Sequence, residues 1–479
     1  METVMPHWLT KQAAQNPHKI AIETETGECM TFRALKEASQ ERARQLSHYG
    51  MQKGDHIGML MTNSLDMVIT IHALSYLQAT IVFLNTRLTK NELQYQIDQA
   101  DVSSVISECE LIKEKAIENI SIYSMKEIKE SEENKGVVLA KEINLSDPFT
   151  MMFTSGTTGF PKAVIHTYGN HLWSAMGSLL NLKYYDDDKW LLPLPMFHVG
   201  GFSILVRSVI YGMSVFLIHK FEAEKVFQII EKEKITIASF VTLMLQQYVS
   251  YLDGKSASSS LRTILLGGGS IPTSLLDDVQ RNQLPVYQSY GMTETSSQIV
   301  TLNEQNIDLK HGSAGRPLFP AQVKIDAQDK QVGEILVKGP MVFEGYYKND
   351  KANEESFLDG WFKTGDLGYL DGDGFLYVVD RRSDLIISGG ENIYPTEIEH
   401  VILELAGIKE LAVVGRRDEK WGQIPVAYIV LEDDSLNQST IEAHVEKKLA
   451  SFKRPKAYHF IESLPRTASN KIMRHKLSE

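Results

Sequence analysis

The chain is poor in cysteine: of 479 residues only Cys29 and Cys109 carry a thiol. Neither belongs to a CxxC pair or a His/Cys cluster, so no zinc spacing and no disulfide framework can be read. Two thiols are able to pair with each other, but reduced thiols in an intracellular protein are the simpler expectation. Long apolar runs are also lacking. No stretch of about 18 apolar residues occurs, so no membrane-spanning helix is expected. The opening METVMPHWLTKQAAQNPHK has no apolar core behind a basic tip, which argues against a signal peptide and for a cytoplasmic protein. A basic excess is missing too. The 49 Lys and Arg residues face 61 Asp and Glu, a formal net charge of −12, which argues against a nucleic-acid partner. A compact anion held by local cations and backbone amides remains allowed.

What is present is an ordinary globular composition, 43% hydrophobic and 23% charged, in a chain long enough for two or more domains. Residues 31–50 read as an amphipathic helix that Thr31 caps and Gly50 ends. Residues 56–61 read as a buried strand, 64–77 as a helix and 79–84 as the next strand, the unit of a parallel sheet. The alternation returns with strands at 214–218, 236–240 and 262–266 and a helix at 222–233. After about residue 312 the style changes to short strands at 323–326, 333–337, 345–347 and 374–378, and DGDG at 371–374 signals a hairpin. From about residue 384 mixed strands and helices resume, including 424–430 and 441–448. A run of charge near Arg382 and Ser383 marks a boundary.

The stretch MFTSGTTGFPKA at 152–163 packs four hydroxyls, two glycines and a lysine behind an apolar run. Its spacing is Gly156-x-x-Gly159-x-x-Lys162 with Ala163 next, which excludes the GxxxxGK[ST] loop of P-loop nucleotidases. Glycines that expose backbone amides, hydroxyls that donate and a lysine still suit a phosphate. Taken alone, the composition favours a plain polar turn. A second element is YGMTET at 290–295, behind an apolar strand, where ligands collect in α/β sheets and Glu294 can hold Mg²⁺ on a nucleotide. A third is WFKTGDLG at 361–368, where Asp366 is placed to accept two ribose hydroxyls. DRRSDLIISGGENIYP at 380–395 and SLPRTASNKIMR at 463–474 complete the set.

In this order and at these separations the five segments resemble the adenylate-forming superfamily of acyl-CoA synthetases, luciferases and adenylation domains, over essentially the whole chain. The resemblance implies a two-step ligase that uses ATP, Mg²⁺ and CoA: a carboxylate becomes acyl-AMP, and a thiol then displaces AMP. It implies an α/β fold of two domains. Residues 1–382 would form a large domain of stacked α/β subdomains with a small β-barrel-like module at about 312–382, and 383–479 a small mobile α+β domain. By the same resemblance Thr154, Ser155, Gly156, Thr157, Thr158 and Lys162 orient the β- and γ-phosphates, and Thr293 contacts the α-phosphate. Glu294 holds Mg²⁺, Asp366 the ribose, and Arg381 the ribose–phosphate region. Gly267, Gly268 and Gly269 lie along the adenine or acyl group, and Tyr290 with Gly291 sits near the adenine. Lys471 bridges carboxylate and α-phosphate, where it offsets charge built up in the transition state. Ser383 is the hinge, where many relatives carry Asp or Lys. Gly389 and Gly390 line the thiol tunnel.

The acid is read from WLLPLPMFHVGG at 190–201. Amino-acid-activating relatives place an Asp about here, whereas this chain has His198, Gly200 and Gly201, and an unpaired buried ammonium would be costly. Arg207 interrupts an apolar helix. It either snorkels to the surface or faces the pocket, where it would pair with a second carboxylate on the substrate. Asn170-His171, NTRL at 85–88 and SYGMTETSSQ at 289–298 look like the 2-succinylbenzoate–CoA ligase branch, of menaquinone biosynthesis, whose diacid would occupy His198 and Arg207. An aryl- or medium-chain acyl-CoA synthetase, a non-catalytic nucleotide sensor and an adenylation domain serving a separate carrier are the competing readings. Assembly into an oligomer of identical chains is left open.

Overall fold

The computed structural model describes residues 3–478 apart from 156–160, 254, 269, 270, 272, 308, 311, 328–331, 381–384, 433–435, 466–471 and 473. Gly156, Thr157, Thr158, Gly269, Arg381, Ser383 and Lys471, all named above, therefore lie outside the described residues, as does the side chain of Ser155.

Near-continuous apolar runs such as 56–61 and 263–266 suit strands covered on both faces, as in parallel sheets. Two such sheets carry the larger part of the chain. One has six strands in the order Pro161–Thr167, Pro148–Ser155, Thr80–Phe83, His56–Leu60, Ser104–Ser107 and Ser121–Ser124. All its pairs are parallel except the first. The other has nine strands. Its six central strands are parallel, among them Ile237–Val241, Thr263–Gly267 and Val286–Met292, and its edges are antiparallel. Helix Leu65–Leu77 is apolar almost all round and joins one core cluster with residues of both sheets. Ser64 caps this helix by accepting from the Met67 amide, and Thr31 caps Phe32–His48 by accepting from Ala34.

A five-stranded antiparallel sheet follows, built on Gln322–Asp326, Gly333–Lys338 and Trp361–Leu370. The DGDG segment closes its hairpin: the Gly374 amide donates to the Asp371 carbonyl at 3.0 Å and Leu370 faces Leu376. Residues 345–347 are not the expected strand. They cross to the six-stranded sheet and make a single bridge, Tyr346 opposite Val164, so no ladder extends along them. The C-terminal region is α+β. Gly422–Leu431 pairs with Ile408–Asp418 and Ile386–Ser388 antiparallel and with Ala457–Phe460 parallel, flanked by helices Pro395–Leu403 and Gln438–Lys448. Both cysteines are free. Among the described residues no helix is long and apolar enough to cross a membrane.

Candidate active site

The carboxyl ends of Ile237–Val241, Thr263–Gly267 and Val286–Met292 open on a cleft of about 350 Å³, where ligands gather on parallel sheets. Strand alternation sorts the residues of Val286–Met292. Ser289 and Gly291 line the cleft, while Tyr290 turns to the opposite face and is 4% exposed. Expected beside an adenine, Tyr290 is placed here on the face turned from the cleft. Its hydroxyl donates to Asp366 Oδ2 at 2.8 Å, and Asp366 lines the cleft. Gly267 and Gly268 line it as well, with Gly268 at φ +85°, a conformation glycine adopts without strain.

Thr293–Thr295 is a single 3₁₀ turn at the end of that strand. Glu294 is buried there and lines the cleft, with Oε1 accepting from the Tyr346 hydroxyl at 2.9 Å and from the Thr154 hydroxyl at 3.4 Å. Lys162 lies opposite Thr154 in the hairpin and sets its ammonium 4.9 Å from the centre of the Tyr346 ring. Both ends of the 154–162 loop therefore converge on Glu294. One buried carboxylate beside the two ends of the 154–162 loop would fit Mg²⁺, which is held by one or two carboxylates together with nucleotide phosphates. Among the described residues no cluster of three or more His, Cys, Asp or Glu is arranged for a protein-only metal site.

A directional hydrogen-bond chain supports this turn. Burial pushes the His166 pKa down to about 4, and that of His171 well below its ordinary range. His166 Nε2 lies 2.7 Å from the Thr293 carbonyl, which can only accept, so the proton sits on Nε2. Nδ1 is then bare and accepts from the Thr150 hydroxyl at 3.2 Å, whose oxygen accepts from His171 Nε2 at 2.9 Å.

At the other end of the cleft, helix Val199–Tyr211 begins behind His198. Arg207 is 1% exposed, so it does not snorkel. It lines the cleft, with its guanidinium 5.2 Å from the Trp190 ring centre and Nη2 donating to Ser297 Oγ at 3.2 Å. Burial holds its pKa below the ordinary arginine value. Its Nε and both amide atoms of the neighbouring Gln298, another cleft residue, are buried without hydrogen-bond partners. Such groups call for a polar ligand.

The C-terminal region closes the cleft. Gly389 and Gly390 line it at φ +58° and +85°, and a Cβ on Gly389 would meet the Trp421 ring at 2.8 Å. Glu391 follows them and receives Arg87 Nη1 at 2.5 Å, Asn85 Nδ2 at 3.3 Å and His198 Nε2 at 3.3 Å. Burial pushes the Glu391 carboxyl up, but His198, Arg87 and Asn85 outweigh it and hold the pKa down at about 2.

Tyr346, Glu391 and His166 carry no role in the sequence reading. Asn85 and Arg87 enter it only as part of a likeness. A hydroxyl bonded to Glu294 from 52 residues away, or a carboxylate paired with Arg87 from 304 away, leaves no local pattern to find.

Residues 9–347 match the AMP-binding enzyme family and residues 397–471 the AMP-binding enzyme C-terminal domain. A 2-succinylbenzoate–CoA ligase of Oceanobacillus iheyensis is 50% identical, with all of both chains covered. A double mutant of o-succinylbenzoate CoA synthetase from Bacillus subtilis, bound to a product analogue, superposes with a TM-score of 0.94 at 40% identity, over 99% of this chain and 98% of that one. The same synthetase with its acyl-adenylate intermediate gives only 0.77 at the same identity, over 100% and 99% of the two chains. With ATP and magnesium it gives 0.78 over 100% of both. Identity is equal throughout, so the whole-chain arrangement follows the product-analogue form. From the parallel-sheet cleft to the small C-terminal sheet that closes it, the chain belongs to the AMP-binding enzyme family.

Proposed function

We propose that this protein is an AMP-forming acid–CoA ligase that activates 2-succinylbenzoate as acyl-AMP and passes the acyl group to CoA, a step of menaquinone synthesis. ATP, Mg²⁺ and CoA are its co-substrates and cofactor. The observation that carries the choice of acid is Arg207: a buried guanidinium on the cleft wall, with an unpaired Nε beside an unpaired Gln298 amide. A buried cation without a carboxylate is costly, and a diacid offers one carboxylate for chemistry and a second for Arg207. The curated relative that matches end to end acts, by its name, on that diacid.

In the first half-reaction the substrate carboxylate oxygen attacks the α-phosphorus of ATP and pyrophosphate leaves. Thr154 and Lys162 would face the departing phosphates, Glu294 would hold the magnesium that travels with ATP, and Asp366 would accept from the ribose hydroxyls. Lys471 supplies charge between the two reacting anions. In the second half-reaction the CoA sulfur attacks the acyl carbon and AMP leaves. The Gly389–Gly390 turn then forms one wall of the thiol's route, and Glu391 pins it to Arg87 and His198. We place the domain boundary at 382/383, with 312–382 belonging to the larger domain.

CoA ligation with 2-succinylbenzoate, benzoate and octanoate tests the assignment. Turnover of the diacid is expected to exceed that of either monoacid, and activity with the monoacids alone would transfer the protein to the aryl- or medium-chain synthetases. Arg207→Ala is expected to raise the KM for 2-succinylbenzoate on the order of 10- to 100-fold, the loss of a charged hydrogen-bond partner, and to leave the KM for ATP unchanged. Equal KM values for the diacid in variant and wild type would remove Arg207 from substrate recognition.

A further inference from the structure

Lys453 sits between two carboxylates. Its ammonium is 2.7 Å from Glu92 and 2.6 Å from Glu397, and the three side chains are 7%, 10% and 8% exposed. Glu397 and Lys453 belong to the C-terminal region, on helix Pro395–Leu403 and after helix Gln438–Lys448. Glu92 belongs to the N-terminal part, in the first turn of helix Lys90–Gln99. There it completes a capping box: Oε2 accepts from the Thr89 amide and hydroxyl. The same oxygen accepts from the Ala450 amide at 3.1 Å, and the Thr89 hydroxyl lies 3.3 Å from the Lys448 carbonyl. Ala450 and Phe452 pack into the apolar cluster of Leu88, Leu93 and Ile97 around this helix start. One helix N-terminus thus receives a cation, an amide and two apolar side chains from the far end of the chain.

We propose that Glu92 is a positioning residue for the thioester-forming step, a receptor that holds the C-terminal region in the arrangement seen here through Lys453. This rests on the ligase reading above and names what selects one of its two arrangements. Three facts support it. The contacts join parts of the chain about 360 residues apart and are broken by any swing of one part against the other. The arrangement follows that of the relative holding a product analogue, and departs from that of the same relative holding an acyl-adenylate. The cluster is also uneven: two carboxylates share one lysine, and Glu397 Oε2 is buried without a hydrogen-bond partner. Removing Glu92 from Lys453 leaves Lys453 paired within its own region, so the small domain keeps its fold while the joint weakens. Burial pushes the Lys453 pKa down, but Glu397 and Glu92 outweigh it and hold the group protonated.

Glu92→Gln tests this, because a glutamine oxygen still accepts from the Thr89 amide and keeps the helix cap. Two half-reactions are measured separately on the full chain. Conversion of supplied 2-succinylbenzoyl-AMP to the thioester is expected to slow by about tenfold or more, the scale of one lost buried contact, while acyl-AMP formation from acid and ATP stays within about twofold. Equal loss in both, or no loss in either, overturns the proposal. A second readout needs no substrate. Spin labels on Lys126→Cys and Glu419→Cys, in a Cys29→Ser, Cys109→Ser background, report the distance between the two parts. The wild type is expected to populate the distance of this structure and Glu92→Gln to deplete it. An unchanged distribution overturns the joint whatever acid the enzyme takes. A wild type that ligates none of the acids would instead sink the ligase reading and leave the distance result to decide the joint.

Discussion

The two ends of the cleft are built by different means. At the end proposed for the nucleotide, Glu294, Tyr346, Thr154, Asp366 and Tyr290 meet through hydroxyl–carboxylate bonds, all among residues before 370. His166 anchors the Thr293–Thr295 turn from beneath. At the end proposed for the acyl group and thiol, closure depends on Arg87, His198 and Glu92 reaching residues of the last hundred. The first end is a preassembled surface on packed sheets. The second is made of charges that meet only when a separate piece of chain arrives. Such a division suits the proposed two-step reaction, in which the nucleotide contacts would hold still while the closing piece changed partners.

The largest expected effect breaks the comparison at its chemical centre. Lys471→Ala is expected to lower acyl-AMP formation by about 10³-fold, the scale of a lost transition-state charge, yet to leave conversion of supplied acyl-AMP to the thioester near the wild-type rate. Single-turnover assays of each half-reaction check this, and equal loss of both would remove Lys471 from the adenylation step. Glu391→Gln is the mirror case. Without its charge, Arg87 and His198 lose their shared partner, and the thioester step is expected to slow by about tenfold with acyl-AMP formation nearly unchanged. The same assays would refute the comparison if the variant slowed adenylation instead.

The smallest effect concerns pH. His72 and His166 have pKa values lowered by burial to about 4, from an ordinary 6.5. The unfolded chain therefore binds protons that the folded chain refuses between those values, and stability rises with pH across that window. For each ring the contribution is complete above pH 6.5 and is lost as pH falls towards 4, at about 1.4 kcal/mol for every pH unit crossed. The depressed Glu391 carboxyl acts lower, contributing fully above its ordinary 4.5 and fading only towards about 2. Thermal melts at pH 7 and pH 5 should show the drop, and His166→Gln should flatten it. A wild-type Tm that does not change would contradict neutral burial of these rings.

Much of the fold was legible because local rules and tertiary packing agree. Thr31 and Ser64 cap the helices their positions suggest, and DGDG closes its hairpin. The placement of Thr293 and Glu294 at a strand end was legible for the same reason, since it follows from an apolar run that stops. The misread strand at 345–347 has a non-local cause. Two adjacent tyrosines at 346 and 347 imitate a strand, but the Tyr346 hydroxyl bonds to Glu294, and that pull depends on a residue 52 positions away. Arg207 was undecided because apolar periodicity says where a helix is buried, not whether a cation within it points outward or along a cleft. The charge clusters at Glu391 and Lys453 were invisible, because each side chain alone looks like a solvated surface residue.

The hairpin that carries residues 154–162 has one more consequence. A loop that runs into a helix offers phosphate a fixed electric field from the helix amides. Here both flanks are strands, Pro148–Ser155 and Pro161–Thr167, the second at the edge of its sheet. Strand dipoles alternate and leave little standing field. On the proposed reading, attraction for the pyrophosphate would then rest mainly on the charge of Lys162, a contribution of one side chain and not of the fold's standing field.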